Sequence, residues 1–329
     1  MTRYDRLLFG AGILLAALLI ASAFFDVPQI NNWLFRISVL IILATSWNLM
    51  ANAGLVSLGH SAFWGVGSYA AVLVANTWGV SIVPAIVIAM VVGALLGGLV
   101  AFITGSLRGI FFAIMTLAVS EGLRIVAMMV PDFTGGAVGL FLREDLRPGV
   151  QTVYLLAACA AISSVCVAAL ISRLRLQFAS RAMRDDEDAA QMLGINPRRQ
   201  RVIVVAISGS MASVAGALSG WYGGYLDPDV AFTLHNTILA QIAPILGGIH
   251  TLSGPVIGAI TLIIFSEATR IFFGGIEGVS QLTFGILLVV CILFLPRGIH
   301  GLLFRNKGAK SGIPRSADSS KLLSGGAKP

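Results

Sequence analysis

The stretch RAMRDDEDAAQMLGINPRR, residues 181–199, is the densest block of charge in an otherwise strongly apolar chain. Asp185, Asp186, Glu187 and Asp188 suit the first turn of a helix, where free N–H groups carry partial positive charge. Ala189, Ala190, Met192 and Leu193 then give a small apolar face, Gly194 is a C-terminal stop, and Pro197 forbids continuation. The spacing predicts a short amphipathic helix on a loop between two apolar runs. The same residues also read as a solvated loop whose arginines fix orientation in a membrane.

Outward from this loop the chain is lipid-compatible. Hydrophobic residues make up 57% and charged residues 11% of 329, with mean hydropathy +0.90, which a soluble domain would not need. A crossing takes about 20 apolar residues. Such runs follow one another at 7–25, 33–51, 62–78, 82–104, 109–130, 152–172, 202–221, 236–249, 254–273 and 280–296. The expectation is an all-α polytopic membrane protein of about ten transmembrane helices, about eight at the fewest. Residues 1–302 form its membrane domain, 173–201 its principal loop, and 303–329 a basic, disordered tail.

Arg3 and Arg6 ahead of an apolar run ending in Ala21-Ser22-Ala23 imitate a signal peptide. A further run from Trp33 favours a retained first span instead. Arg173, Arg175, Arg181, Arg184, Arg198, Arg199 and Arg201 put the loop on the cytoplasmic side, and both termini with it. The net charge of +7 therefore argues orientation and contact with membrane lipid rather than nucleic-acid binding. Cys159, Cys166 and Cys291 lie in apolar runs and suggest neither a disulfide framework nor a metal site.

Two segments read as interrupted helices. One is GLVSLGHSAFWGVG (54–67), with Ser57, Gly59, His60, Ser61, Gly65 and Gly67. The other is PILGGIHTLSGP (244–255), with Gly247, Gly248 and His250. Paired breaks in opposite halves point to an internal inverted repeat and a solute path; equally, the glycines permit close helix packing. Ser208, Ala212, Gly216, Gly220 and Gly224 recur every four residues, a ridge that lets another helix approach, and Gly93 with Gly97 and Gly254 with Gly258 repeat the device.

Glu121 with Arg124, and Glu267 with Arg270, sit three apart inside spans. Each pair either neutralises itself or lines a vestibule for a polar or zwitterionic solute; the first reading is preferred. The outer loop 131–151 carries Arg143, Glu144, Asp145 and Arg147, which either steer a soluble partner or stay solvated. GVGSYA at 65–70 imitates a dinucleotide motif without the strand it needs, and residues 307–311 match only the end of a P-loop. With no nucleotide motif, energy has to come from a partner or an ion gradient.

The order of these motifs resembles one family. Asp188-Ala189-Ala190-x-x-x-Gly194 resembles the E-A-A-x-x-x-G loop of ATP-binding-cassette (ABC) importer permeases, with Asp188 where that pattern has Glu. Residues 187–195, residues 54–63 with Gly65, Gly67 and Tyr69, Thr134-Gly135-Gly136-x-x-Gly139-Leu140, and Thr116-Leu117 with Glu121 and Arg124 are similar to the branched-chain amino acid permeases of the LivM type. The outer loop is short after Leu140.

The resemblance implies a non-catalytic permease subunit of the bacterial inner membrane, holding no cofactor of its own. Arg184, Asp185, Glu187, Asp188, Ala189, Ala190, Leu193 and Gly194 would form a coupling helix against a cytoplasmic ATPase. Two such ATPase subunits would carry ATP and Mg²⁺. The other implied partners are a second, homologous permease and a periplasmic or lipid-anchored solute-binding protein, docked on Arg143, Glu144, Asp145 and Arg147. Ser57, Gly59, His60, Ser61, Gly65, Gly67, Glu121, Arg124, Gly247, Gly248, His250, Glu267 and Arg270 are the candidates for a pathway working by alternating access. The rival readings are an importer of urea, amides or small organic acids, and an ion-coupled secondary transporter using Glu121, Glu267 or the histidines.

Overall fold

The computed structural model describes residues 28–272, except 106, with a few positions beyond and a last helix at 298–303. The expected spans at 7–25 and 280–296, the N-terminal signal-like run and the tail beyond 303 lie outside the described residues. In chain order the helices begin with α1 (Pro28–Asn52), α2 (His60–Trp78), α3 (Ile82–Ile103), α4 (Ile110–Met129) and α5 (Pro131–Thr134). Two 3-10 turns, Gly136–Val138 and Glu144–Leu146, flank the strand β1 (Leu140–Phe141). Then come α6 (Val150–Arg173), α7 (Arg175–Asp185), α8 (Glu187–Met192), α9 (Pro197–Gly223), the strand β2 (Tyr225–Leu226), α10 (Pro228–Ala231), α11 (Leu234–Gly248), α12 (Gly254–Phe272) and α13 (Gly298–Leu303).

Among the described residues, 7 stretches are long and apolar enough to cross a membrane. Their bounds follow the apolar runs closely: the run at 82–104 is Ile82–Ile103, and that at 152–172 is Val150–Arg173. The short run at 236–249 gains length from α10, so that 228–248 reaches crossing length.

α1 and α9 form the middle of the bundle. α1 packs on α6, α9, α11 and α12, and α9 on α2 and α3. The small-residue ridge of α9 sets these distances. A Cβ on Gly216 would stand 2.0 Å from the Trp64 carbonyl oxygen, and one on Gly67 of α2 2.2 Å from that of Ser213. The Ser213 hydroxyl donates to the Phe63 carbonyl at 2.8 Å and the Ser68 hydroxyl to that of Gly216 at 2.8 Å. Close backbone approach with hydroxyl cross-links is how helices associate where lipid removes the hydrophobic drive.

The bundle has two distinct ends. At the basic end, loop 104–109 and the α7–α8 segment meet, because Arg201 of α9 donates to the carbonyls of Gly105 and Leu107 and also binds Glu187 of α8. At the far end β1 pairs antiparallel with β2, Leu140 opposite Leu226, and Asn76 at the end of α2 donates to the Phe141 carbonyl. Gly135, Gly136 and Gly139 all have positive φ in this cap, which explains the glycines of the outer-loop signature.

α2 does not start at the basic end. After α1, residues 53–54 turn beside Arg184, and the chain then climbs back so that the Ser57 carbonyl accepts from Trp47 Nε1. His60, the first residue of α2, lies level with Ser208, roughly 16 Å along α9 from its start at 1.5 Å per residue. The first expected break is therefore present at 53–59, while 60–67 of the expected stretch is continuous helix.

The second expected break, at 244–255, is interrupted only at 249–253, at an end of the bundle rather than inside it. Pro244 lies inside α11, which continues to Gly248, and 249–253 is the turn into α12 at the basic end. Gly247 and Gly258 seat α11 on α12, since a Cβ on Gly258 would stand 1.7 Å from the Ala243 carbonyl oxygen. The interruption in this half falls earlier, at 225–233, where the chain descends from β2 to start α11 inside the bundle. Phe232 packs on Gly65 and stacks on Tyr69. The two interrupted helices run in opposite directions, the relation that an inverted repeat requires.

Candidate functional site

The loop at the basic end is built from α8 outward. The Asp186 carboxylate accepts from the N–H groups of Asp188 and Ala189 at 2.9 and 3.0 Å, so it caps α8. Gly194, at φ +79°, ends the segment, and Asn196 caps α9 by accepting from the Arg199 N–H at 3.1 Å. Glu187 lies between Arg201 at 2.7 Å and Arg108 at 3.0 Å, and Asp188 meets Arg108 at 3.0 Å. The hydrogen bond it donates to Asp188 and the charge of Glu187 hold the Arg108 guanidinium above its ordinary range.

Glu187 and Asp188 are thus engaged within the chain, and Ala190 is buried. What stands clear is Ala189 with Met192, 91% exposed, and Leu193, 71% exposed. α7 fastens the unit from behind, because Gln200 of α9 donates to the Leu176 carbonyl and the Ser180 hydroxyl. Arg184 of α7 pairs with exposed Asp185 at 3.2 Å, and its backbone touches Gly54 at the start of the first break.

His250 completes this end. It has φ +65° in the α11–α12 turn, and its N–H donates to the Asn48 side chain at 3.1 Å. Partial burial, then the charges of Arg184 and Arg181, pull its imidazole below the ordinary range, with Asp185 opposing.

A second polar site lies in the middle of the bundle, where α2 and α11 begin. The Ser61 N–H donates to the Thr237 hydroxyl at 2.9 Å, Thr237 donates to the Ser61 hydroxyl at 2.9 Å, and Ser61 meets the Ser120 hydroxyl of α4 at 2.8 Å. The Leu58 N–H donates to the Thr116 hydroxyl at 3.1 Å. His60 is fully buried, with Nε2 3.2 Å from both the Ser46 and Ser208 hydroxyls. Those hydroxyls already donate to the carbonyls of Leu43 and Ser46. Nε2 therefore carries the proton and donates to both, and Nδ1 has no partner among the described residues.

Gly59, Gly65 and Gly67 are close-approach points here, against the Thr116 carbonyl, the Phe232 ring and Ser213. Ser57 is buried too. Gly247 does the same work at the basic end against the Gly254 carbonyl, and a Cβ on Gly254 would meet the carbonyl of Gly248.

Toward the far end both in-span acid–base pairs form. Arg124 bridges Glu121 at 2.9 Å and Asp229 at 2.8 Å. Glu267, 5% exposed at its side chain, binds Arg270 at 2.8 Å and also Arg36 of α1. In the cap Arg143 pairs with Asp145 at 2.8 Å, Arg147 donates to the Gly224 carbonyl, and Glu144 is exposed.

The partners Arg36, Asp229, Arg201, Ser46, Ser120, Ser208 and Thr237 were not singled out for these roles from sequence. Only Arg201 and Ser208 carried a signal, as a loop cation and a ridge residue. The others are distant in sequence from the groups they meet.

The family described as branched-chain amino acid transport system / permease component matches residues 29–294. The chain is 27% identical to the high-affinity branched-chain amino acid transport system permease protein LivM of Escherichia coli (strain K12), over 88% of this chain and 71% of that protein. It is 24% identical to the fructose import permease protein FruF of Bifidobacterium longum (strain NCC 2705), over 80% of this chain and 76% of that one. PsaBC from Streptococcus pneumoniae in complex with Fab superposes with a TM-score of 0.52 at 13% identity, covering 88% of this chain and 99% of that one, which is a likeness of fold.

Proposed function

We propose, from the premise that this multi-pass membrane chain belongs to the branched-chain amino acid transport permease family, that it is one permease subunit of an ATP-driven importer. The solute is a branched-chain amino acid, by similarity to LivM. The basic end faces the cytoplasm, where two ATPase subunits hold ATP and Mg²⁺. A second permease subunit completes the pathway, and a solute-binding protein docks at the far end around Glu144.

The observation that carries this reading is the construction of α8. The helix is clamped from inside by Glu187, Arg201 and Arg108, while Met192 and Leu193 project from it. A clamped unit transmits displacement as a rigid body, and two exposed apolar side chains suit a groove in a partner. Movement of α8 reaches α6 and α9 on either side, and reaches Gly54 through α7. The start of α2 lies directly beyond, so the first break takes part in alternating access.

Reconstitution in proteoliposomes tests the proposal. The chain alone should take up no leucine under a proton gradient. With its ATPases, second permease and binding protein, it should take up leucine when ATP is supplied. Uptake by the chain alone under the gradient would establish a secondary transporter instead. Fructose belongs among the competing solutes because of the FruF relative. Leu193→Arg with Met192→Arg should release the ATPase while the chain keeps its melting temperature; retained ATPase would remove α8 from the coupling contact.

A further inference from the structure

Beside α8, on the flank away from its projecting face, lies a cavity of about 550 Å³. Gly105, Arg108, Glu187, Gly194, Asn196 and Arg198 are among its walls. The charges here do not cancel. Glu187 and Asp188 are matched by Arg201 and Arg108, whereas Arg198 has no carboxylate partner among the described residues. Its guanidinium carbon sits 4.2 Å from the centroid of the Phe102 ring, and Nη2 donates at 3.4 Å to the Phe102 carbonyl. Most of its donors, and one nitrogen of Arg108, are left for a ligand; each guanidinium has five N–H groups in a fork that fits phosphate.

Apolar surface adjoins the cavity where Arg198 meets Phe102. Leu95, Leu99, Phe102 and Ile103 of α3 are each more than half exposed, and they form a stripe leading up from the Arg198 side of the cavity. An anion site at the end of an apolar stripe matches a molecule with a phosphate head and hydrocarbon tails. We propose that this cavity binds the headgroup of an anionic phospholipid, with its phosphate on Arg198 and Arg108 and its acyl chains along α3. Basic pockets at the ends of membrane helices are suited to such headgroups. A lipid wedged here touches both the 104–109 loop and α8, so it stiffens the mounting of the proposed coupling helix. The site itself requires only that α3 faces lipid, and stands whatever solute the protein carries.

The test uses the full chain in nanodiscs of phosphatidylcholine with or without phosphatidylglycerol. It reads the phosphatidylglycerol retained per protein by mass spectrometry, together with the melting midpoint. The wild-type protein should retain phosphatidylglycerol through delipidation and melt higher in its presence. Arg198→Gln should lower retention about fivefold, the effect of one basic group at a charged lipid surface, and lose most of the rise in midpoint. Arg198→Lys should keep part of both.

Arg175→Gln, which removes an exposed charge of the same end outside the cavity, should behave as wild type. An unchanged midpoint of Arg198→Gln in pure phosphatidylcholine separates loss of lipid from loss of fold. Equal retention by wild type and Arg198→Gln would overturn the proposal. So would inorganic phosphate reproducing the full rise in phosphatidylcholine discs, because the cavity would then serve a soluble anion.

Discussion

Arg201 of α9 holds Glu187 of α8 at 2.7 Å, and only 4% of the arginine side chain is exposed. The carboxylate that begins α8 is therefore a structural anchor, and the apolar residues one turn later, Met192 and Leu193, are the ones left exposed. A buried ion pair is costly to form and more costly to halve.

Removing one partner should be worse than removing both. Arg201→Leu leaves Glu187 with exposed Arg108 alone and should destabilise the protein by about 3 kcal/mol. Adding Glu187→Leu should recover a substantial part of that loss. Denaturation of the two single variants and the double variant in detergent reads the coupling; additive losses would refute it.

The glycines separate by environment. Gly67→Ala places a methyl 2.2 Å from the Ser213 carbonyl oxygen and should cost about 1–3 kcal/mol by forcing α2 from α9. Gly122→Ala on α4 meets nothing within 4 Å and should stabilise by up to about 1 kcal/mol through helix propensity. Melting temperatures moving in opposite directions would confirm the contrast.

His60→Ala should cost about 2–4 kcal/mol, since it opens a space in the core and strips the Ser46 and Ser208 oxygens of a donor. Thermal melts of the variant measure the loss. Little change would mean that water replaces the imidazole.

His250 predicts a pH dependence. Its folded-state pKa lies below the ordinary 6.5, so the unfolded chain binds the proton more tightly. Its contribution is complete above about pH 6.5 and declines as pH falls from there toward the folded-state value. His250→Asn removes the titration and tolerates the positive φ. The variant should show a flatter melting-temperature profile between about pH 7 and 5; an unchanged slope would assign the dependence elsewhere.

The helices were legible because lipid-facing runs must be long and apolar, as Ile82–Ile103 and Val150–Arg173 show. The short helix between Asp186 and Gly194 was legible from its cap and its stop. The second interruption was misplaced because Pro244 is an obvious breaker, yet a proline is tolerated inside a membrane helix when neighbours satisfy the freed groups. The true interruption at 225–233 contains Asp227-Pro228 and the capping Thr233, cues that are quieter than two glycines and a proline. The anchoring role of Glu187 was hidden for another reason: which cation a loop carboxylate meets is decided by tertiary packing with Arg201 and Arg108.

The meeting of α2 and α11 in the interior has an electrical consequence. Each helix directs the positive end of its dipole, about half a unit charge, at the Ser61–Thr237 contact. Two such ends meeting at buried Ser61 and Thr237 repel a bare Na⁺ or H₃O⁺ and favour oxygen lone pairs, which hydroxyls supply without adding charge. The centre of this chain is therefore a poor relay for a cation current, which favours the proposed ATP-driven importer over an ion-coupled transporter.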